Sequence, residues 1–111
     1  MNHFFRRILF MRYVTVNNDT AIIKVVGEYN LLATNIISGE IQECFSRQGC
    51  SKVCVDFSET DFIESSAIRD LSVLFSRVGK ENFRVINVRG DVYTALSACK
   101  LDELWDCQPG M

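Results

Sequence analysis

Two adjacent serines, Ser65 and Ser66, are the residues best placed to do chemistry, because the hydrophobic pattern changes period at this point. Before them, Val53, Val55 and Phe57 alternate with Cys54 and Asp56, which is typical of a strand. From Ile68 onward the apolar residues recur at helical spacing. A helix N-terminus offers unpaired backbone N–H groups and a positive dipole end. A hydroxyl there can cap the helix, and a phosphate carried on it would be favoured electrostatically, so both interpretations stay open.

Other reactive groups have no partners that would make a catalytic site. Asp56 and Asp61 could form a carboxylate pair, but no nucleophile, metal ligand or histidine accompanies them. The chain has one histidine, His3, and its five cysteines form no CxxC pair. This spacing argues against a disulfide framework and a zinc site and favours buried or idle thiols. We therefore expect no enzyme activity, no metal and no cofactor. The cysteines are Cys44, Cys50, Cys54, Cys99 and Cys107.

Length and charge restrict the remaining classes. At 111 residues the chain is long enough for a single domain with one modest core. Twelve basic and fourteen acidic residues give a formal charge of −2, which offers no basic face for nucleic acid. The basic and apolar segment 1–10 is too short to span a bilayer, so we expect no integral membrane segment. It could be a packed arm, an upstream extension with Met11 as the start, or a membrane-surface segment, and we favour the first two.

The order of elements predicts an α/β fold. Two strands at the start read as a hairpin, and later strands alternate with helices, which favours parallel crossovers. The helices are too few to cover both faces of a sheet, so we expect them mainly on one face. The predicted elements are strands 11–16, 21–26, 52–57 and 83–88, helices 33–47, 65–78 and 91–99, a last turn or short helix 101–105, and a frayed tail 107–111.

Three motifs make the chain similar to the STAS domain family, the domain of sulfate transporters and anti-sigma factor antagonists. The segment Glu64–Ala67 (ESSA) resembles the family's Asp-Ser-Ser-Gly or Asp-Ser-Thr-Gly signature in its strand–helix context. Gly27–Asn30 (GEYN) resembles Gly-Glu-Leu-Asp, and Leu101–Trp105 (LDELW) resembles the closing Gly-Leu-Asp-Lys-Leu-Phe. The resemblance covers roughly residues 12–106, and only the serine motif is reasonably specific. It implies a SpoIIAA-like domain over 11–106, with a central mixed sheet of four to five strands and helices mainly on one face.

Three positions depart from the family pattern. Glu64 stands where Asp is usual; it keeps the charge but reaches further. Ala67 replaces Gly, which removes access to positive φ and could obstruct a partner that presses against this backbone. Asn30 stands where an acid is common, so one charge that the family often presents to its partner is missing.

The resemblance is strongest to anti-sigma factor antagonists, and this implies a function. Such proteins are bacterial and cytoplasmic, and bind an anti-sigma factor that is also a serine kinase. The kinase phosphorylates the second Ser/Thr of the signature and so abolishes binding. Carried onto this chain, the phosphoacceptor is Ser66, with Ser65 as the fallback. We expect Phe62 and Ile63 to be exposed or half-buried beside it. The implied partner-binding residues are Gly27, Glu28, Asn30, Asp61, Phe62, Ile63, Glu64, Ser65, Ala67 and Arg69.

A second function remains open. The chain could be a non-phosphorylated STAS adaptor subunit of a lipid-transport or signalling complex, in which the two serines only cap the helix. The altered signature and the apolar N-terminal segment favour this alternative somewhat. Homodimerisation stays open. Some relatives bind nucleotides, and whether this chain does so also stays open, since it has no phosphate loop.

Overall fold

The computed structural model describes residues 11–110, so the predicted arm or extension at 1–10 lies outside the described residues. Six strands, four α-helices and one 3-10 turn form the described part. The strands are β1 Val14–Asn17, β2 Thr20–Lys24, β3 Gly27–Tyr29, β4 Lys52–Asp56, β5 Thr60–Ile63 and β6 Phe83–Ile86. The helices are α1 Leu31–Arg47, α2 Ser65–Val78, α3 Gly90–Ala98 and α4 Leu101–Leu104, with the 3-10 turn at Lys80–Asn82.

The central sheet is mixed and has the order β1-β2-β4-β6. The hairpin β1–β2 is antiparallel, while β2–β4 and β4–β6 are parallel, as the alternation of strands and helices predicts. The register places Ala21, Val53 and Phe83 opposite one another, and all three are buried. The next buried row of the same face is Ile23, Val55 and Val85.

Helices α1 and α2 each bury one stripe of residues in the core that they share with this sheet. In α1 the buried positions recur every three or four residues, which is the spacing of one helix face. Helix α2 buries Ala67, Leu71 and Leu74 in the same way. The opposite face of the sheet is less deeply buried, with Arg84 exposed and Ile22 and Ile86 only half-buried. The predicted α/β fold, with helices mainly on one face, is confirmed.

The sequence did not predict the small second sheet, in which β3 and β5 pair in parallel. These strands have three and four residues, which is too short to show a hydrophobic period. Gly27, which directly follows the predicted strand 21–26, begins β3 at φ +88°, a conformation that glycine adopts without strain. Helix α1 also begins at Leu31, two residues earlier than predicted.

Part of the predicted frayed tail is hydrogen-bonded to β6 and the residues that follow it. The Gln108 N–H donates to the carbonyl of Val85 at 2.9 Å, and the Gly110 N–H donates to the carbonyl of Val88 at 3.0 Å. The tail therefore covers part of the edge of β6 that would otherwise present unpaired backbone groups.

Candidate partner-binding site

The two short strands bring the starts of α1 and α2 side by side. Tyr29 and Ile63 are paired at the ends of β3 and β5, and each strand leads through a single residue into a helix. The Glu64 N–H donates to the carbonyl of Tyr29 at 3.0 Å, which ties the two strand ends together. Two helix N-termini, each with a positive dipole end, thus open at the same edge of the domain.

Asn30 caps α1. Its side-chain Oδ1 accepts a hydrogen bond from the Ala33 N–H at 3.0 Å, and its carbonyl accepts one from the Thr34 hydroxyl at 2.9 Å. Asn30 is as good a cap as Asp, so its replacement of the family's acid keeps the helix start while removing a charge.

Glu64 joins the two helices. It is the N-cap residue of α2, yet its side chain makes no hydrogen bond to that helix. Instead Oε1 accepts from the Leu31 N–H, the first residue of α1, at 3.0 Å. The carboxylate therefore satisfies an unpaired donor at the positive end of the neighbouring helix. The interpretation of Ser65 or Ser66 as the cap of α2 is wrong, because Glu64 holds that position and no side chain caps the helix.

The two serines occupy the first two positions of α2 and differ in exposure. Ser65 is exposed, whereas Ser66 is half-buried. The Ser66 Oγ is buried and has no hydrogen-bond partner among the described residues. No helical turn precedes Ser66, so rotation about χ1 is less restricted than in a helix interior and can turn the hydroxyl outward.

Two further polar side chains near the helix starts, Tyr29 and Asp70, are buried or half-buried. The Tyr29 hydroxyl is also buried without a partner among residues 11–110. Burial raises the pKa of Tyr29, and the negative charge of Asp70 raises it further. Burial likewise raises the pKa of Asp70, which lies one helical turn from Ser66 and thus on the same side of α2. Such unpaired hydroxyls are uncommon in folded proteins and mark this position as unusual.

The structure divides the predicted partner-binding residues by exposure. Ile63 is 4% exposed and Ala67 is fully buried, so both lie beneath the surface. The expectation that Ile63 is exposed or half-buried is wrong, because its pairing with Tyr29 turns it into the core. The exposed residues are Glu28, Asp61, Phe62, Ser65 and Arg69, and the half-buried ones are Gly27, Asn30 and Glu64.

The surface around the serines combines acids with exposed apolar groups. Four exposed apolar residues lie at the two short strands and at the start of α1, and we call them the apolar rim. Sequence patterns indicated only Phe62, because exposed apolar residues in short segments carry no periodic signal. The apolar rim consists of Val26, Leu31, Leu32 and Phe62. The acids nearby are Glu28, Asp61, Glu64 and Asp70, while Glu59 is paired with Lys24 at 3.0 Å.

Asp56 has a structural task at the end of β4. Its Oδ1 accepts hydrogen bonds from the Ser58 N–H and from Asn87 Nδ2, both at 2.9 Å. Burial opposes ionisation of Asp56, but these hydrogen bonds outweigh it and lower its pKa.

Within the described range, no group of three or more His, Cys, Asp or Glu side chains is arranged to hold a metal. Nor is any helix of residues 11–110 long and apolar enough to cross a bilayer.

The model of the STAS domain family matches residues 12–109. The chain belongs to this family. Comparison with proteins of curated function finds no match. The STAS fold, predicted from the serine motif and its context, is thereby confirmed.

Solved structures with this fold include regulators and a transporter-family protein. An anti-sigma factor antagonist from Mycobacterium paratuberculosis has a TM-score of 0.71 at 18% identity, over 86% of this chain and 82% of that one. The anti-sigma factor antagonist SpoIIAA in its unphosphorylated form has a TM-score of 0.61 at 16% identity, over 75% of this chain and 77% of that one. A sulfate transporter family protein from Wolinella succinogenes has a TM-score of 0.64 at 13% identity, over 82% of this chain and 75% of that one. At these identities the likeness shows a shared fold.

Proposed function

We propose that this protein is a non-enzymatic, cytoplasmic anti-sigma factor antagonist that binds a serine-kinase anti-sigma factor and is released from it by phosphorylation of Ser66. The observation that carries the proposal is the position of Ser66 in the first turn of α2, beside a second helix start and the apolar rim. Apolar groups surrounded by polar ones are typical of a protein–protein interface.

The partner is expected to present apolar and basic groups. The apolar rim supplies contact area, and the exposed acids Glu28 and Asp61 favour a positively charged partner surface. Ile63 and Ala67 support this surface from within the core. Ala67 therefore adds only a methyl group that the core absorbs, and it does not stand between the serine and the kinase.

Phosphorylation would change the charge of this surface without refolding the domain. A phosphate adds about −1.5 to −2 charges at pH 7 to a region that already holds Glu64 and Asp70. The dipole of α2 stabilises the phosphate by about 0.3–1 kcal/mol, so the modified protein stays folded. A phosphate beside the apolar rim adds bulk, and its charge must lose hydration when the partner docks; these costs exceed the attraction to basic groups and weaken binding by about 2 kcal/mol or more, which is roughly thirtyfold.

The test is calorimetric titration of each serine-kinase anti-sigma factor of the source organism with the full chain and its variants. At least one kinase is expected to bind wild type and Ser66→Ala alike, and Ser66→Asp roughly thirtyfold more weakly. Ser76→Asp is the matched control, because Ser76 is exposed on the same helix ten residues away, about 15 Å along its axis. Equal affinity of Ser66→Asp and wild type, or binding by none of the kinases, would contradict the proposal.

One observation favours a second candidate, a STAS adaptor subunit of a lipid-transport or signalling complex that is not phosphorylated. The Ser66 hydroxyl lies buried, so a kinase reaches it only after χ1 rotation. In this alternative the apolar rim contacts a permanent partner, and Ser66→Asp weakens assembly without any kinase being involved.

A further inference from the structure

A cleft of about 310 Å³ lies at the edge of the sheet opposite β1, between the end of α2, β6 and the segment after α4. It shares no lining residue with the proposed partner-binding surface. Small-molecule sites have volumes of about 300–1,000 Å³, apolar walls and a few polar groups that converge on the ligand. This cleft has a volume at the lower end of that range and is lined by both apolar and polar residues.

One wall of the cleft is an aromatic cluster of Phe75, Phe83 and Trp105. The ring centroids of Phe75 and Phe83 are 5.3 Å apart in an edge-on arrangement, and those of Phe83 and Trp105 are also 5.3 Å apart. Phe75 and Trp105 complete the cluster at 6.4 Å. The rings hold one another in place, so the wall is preformed and can receive a flat apolar group at little entropic cost.

Trp105 also carries an unused hydrogen-bond donor. Its side chain is 2% exposed, and its indole Nε1 has no acceptor among residues 11–110. Buried tryptophan N–H groups normally find a partner, because an unpaired buried donor loses its hydration without compensation. A ligand with an acceptor group, bound in the cleft that Trp105 lines, could supply that partner.

The rim of the cleft carries two cations, Lys80 and Arg84. Both are exposed, and neither forms an ion pair within the described part of the chain. Asp106 also lines the cleft and carries the opposite charge, which leaves a net charge of +1 among the three. The cleft therefore matches a ligand with a single negative charge better than a dianion or a cation.

We propose that this cleft binds a small monocarboxylate with a flat apolar body. The carboxylate lies at the rim, where Lys80 and Arg84 are cationic donors, and one of its oxygens is the acceptor for the Trp105 indole N–H. The apolar body packs against Phe75 and Leu104, the two apolar lining residues that are not buried. This site is independent of the serine switch, and it ties β6 to the C-terminal segment that forms its other side.

The test is a titration of the full chain with naphthoate, a flat aromatic carboxylate. Binding is followed by NMR spectra that correlate each N–H proton with its nitrogen. Trp105 is the only tryptophan, so its indole N–H gives a single resonance that reports on the cleft directly. Naphthoate is expected to shift this resonance saturably, with a Kd below about 1 mM, and to shift the Arg84 amide with it. The neutral analogue naphthamide has the same rings without the charge and is expected to bind at least about tenfold more weakly.

Variants separate the cleft from general electrostatic attraction. Lys80→Gln and Arg84→Gln are each expected to weaken naphthoate binding at least about threefold, while Arg77→Gln, an exposed cation outside the cleft, leaves it unchanged. Three results would overturn the proposal. They are an unshifted Trp105 resonance at about 5 mM naphthoate, equal binding of naphthamide, and a loss in Arg77→Gln as large as that in Arg84→Gln.

Discussion

Replacing Glu64 with alanine should destabilise the domain by breaking the link between the two helix starts. The Glu64 carboxylate accepts from the Leu31 N–H at 3.0 Å at the positive end of α1. A hydrogen bond to a charged group contributes about 1.5–3 kcal/mol, and the helix dipole adds about 0.3–1 kcal/mol. The bond lies at an exposed position, so we take about 1–2 kcal/mol for the pair after solvent screening. Because Glu64 makes no side-chain bond to its own helix, this loss belongs to the link alone.

Urea unfolding followed by circular dichroism measures the effect. With a slope of about 1–2 kcal/mol per molar urea, Glu64→Ala should lower the midpoint by roughly 1 M. Glu64→Gln keeps an acceptor and should lose about half as much. Asp61→Ala is the matched control, since Asp61 is an exposed acid on β5 whose side chain makes no hydrogen bond within the described part of the chain. The reasoning fails if Glu64→Ala unfolds within about 0.3 kcal/mol of wild type, or if Asp61→Ala loses as much.

Three further substitutions test other contacts, each by urea unfolding. Burial raises the pKa of Asp70, so the charged carboxylate opposes folding at neutral pH. Asp70→Asn should therefore stabilise the domain at pH 7. This gain should vanish as the pH falls below 3.8, the ordinary pKa of Asp. Hydrogen bonds lower the pKa of Asp56, so its contribution to the free energy of unfolding is present above pH 3.8 and is lost as the pH falls further. Asp56→Ala should lower the free energy of unfolding by about 1.5–3 kcal/mol at pH 7 and by much less in acid. The buried Thr60 hydroxyl donates to the Val25 carbonyl at 2.7 Å, so Thr60→Val should cost about 1–3 kcal/mol at any pH. A pH-independent effect of Asp70→Asn or Asp56→Ala, or a Thr60→Val variant as stable as wild type, would contradict the respective argument.

The central sheet could be predicted because its strands carry a strong pattern. Val53, Val55 and Phe57 alternate with Cys54 and Asp56, and the structure buries the first three almost completely; Cys54 is buried as well, at 8% exposed, while Asp56 is half-buried. The change to helical period after Ile68 likewise located α2 correctly. Such periodicity reflects burial against one face, which is the strongest physical constraint on a short segment.

The helix starts could not be read as reliably, because several residues there compete for the same role. Asn30 is a favoured cap and was a usable signal for the start of α1 at Leu31. At α2 the two serines were the better caps by type, but the structure gives the N-cap position to Glu64. The side chain of Glu64 bonds across to α1, a contact 33 residues away in sequence, and no local pattern encodes it.

The exposure of the predicted partner-binding residues also depended on contacts outside the motif. Ile63 and Phe62 are neighbours of similar hydrophobicity, yet Ile63 is 4% exposed and Phe62 is 47% exposed. The pairing of β5 with the short strand β3 decides between them. Since β3 has only three residues, the sequence alone could not predict this pairing.

The most direct test of the central claim is site-mapped intact-mass spectrometry of the protein recovered from its native cells. A single phosphate is expected on Ser66, in a fraction of molecules that changes with growth or stress, and it is expected to be absent from the Ser66→Ala variant. Protein that stays unmodified under all these conditions, or that carries its phosphate only at Ser65, would contradict phosphorylation of Ser66 as the switch.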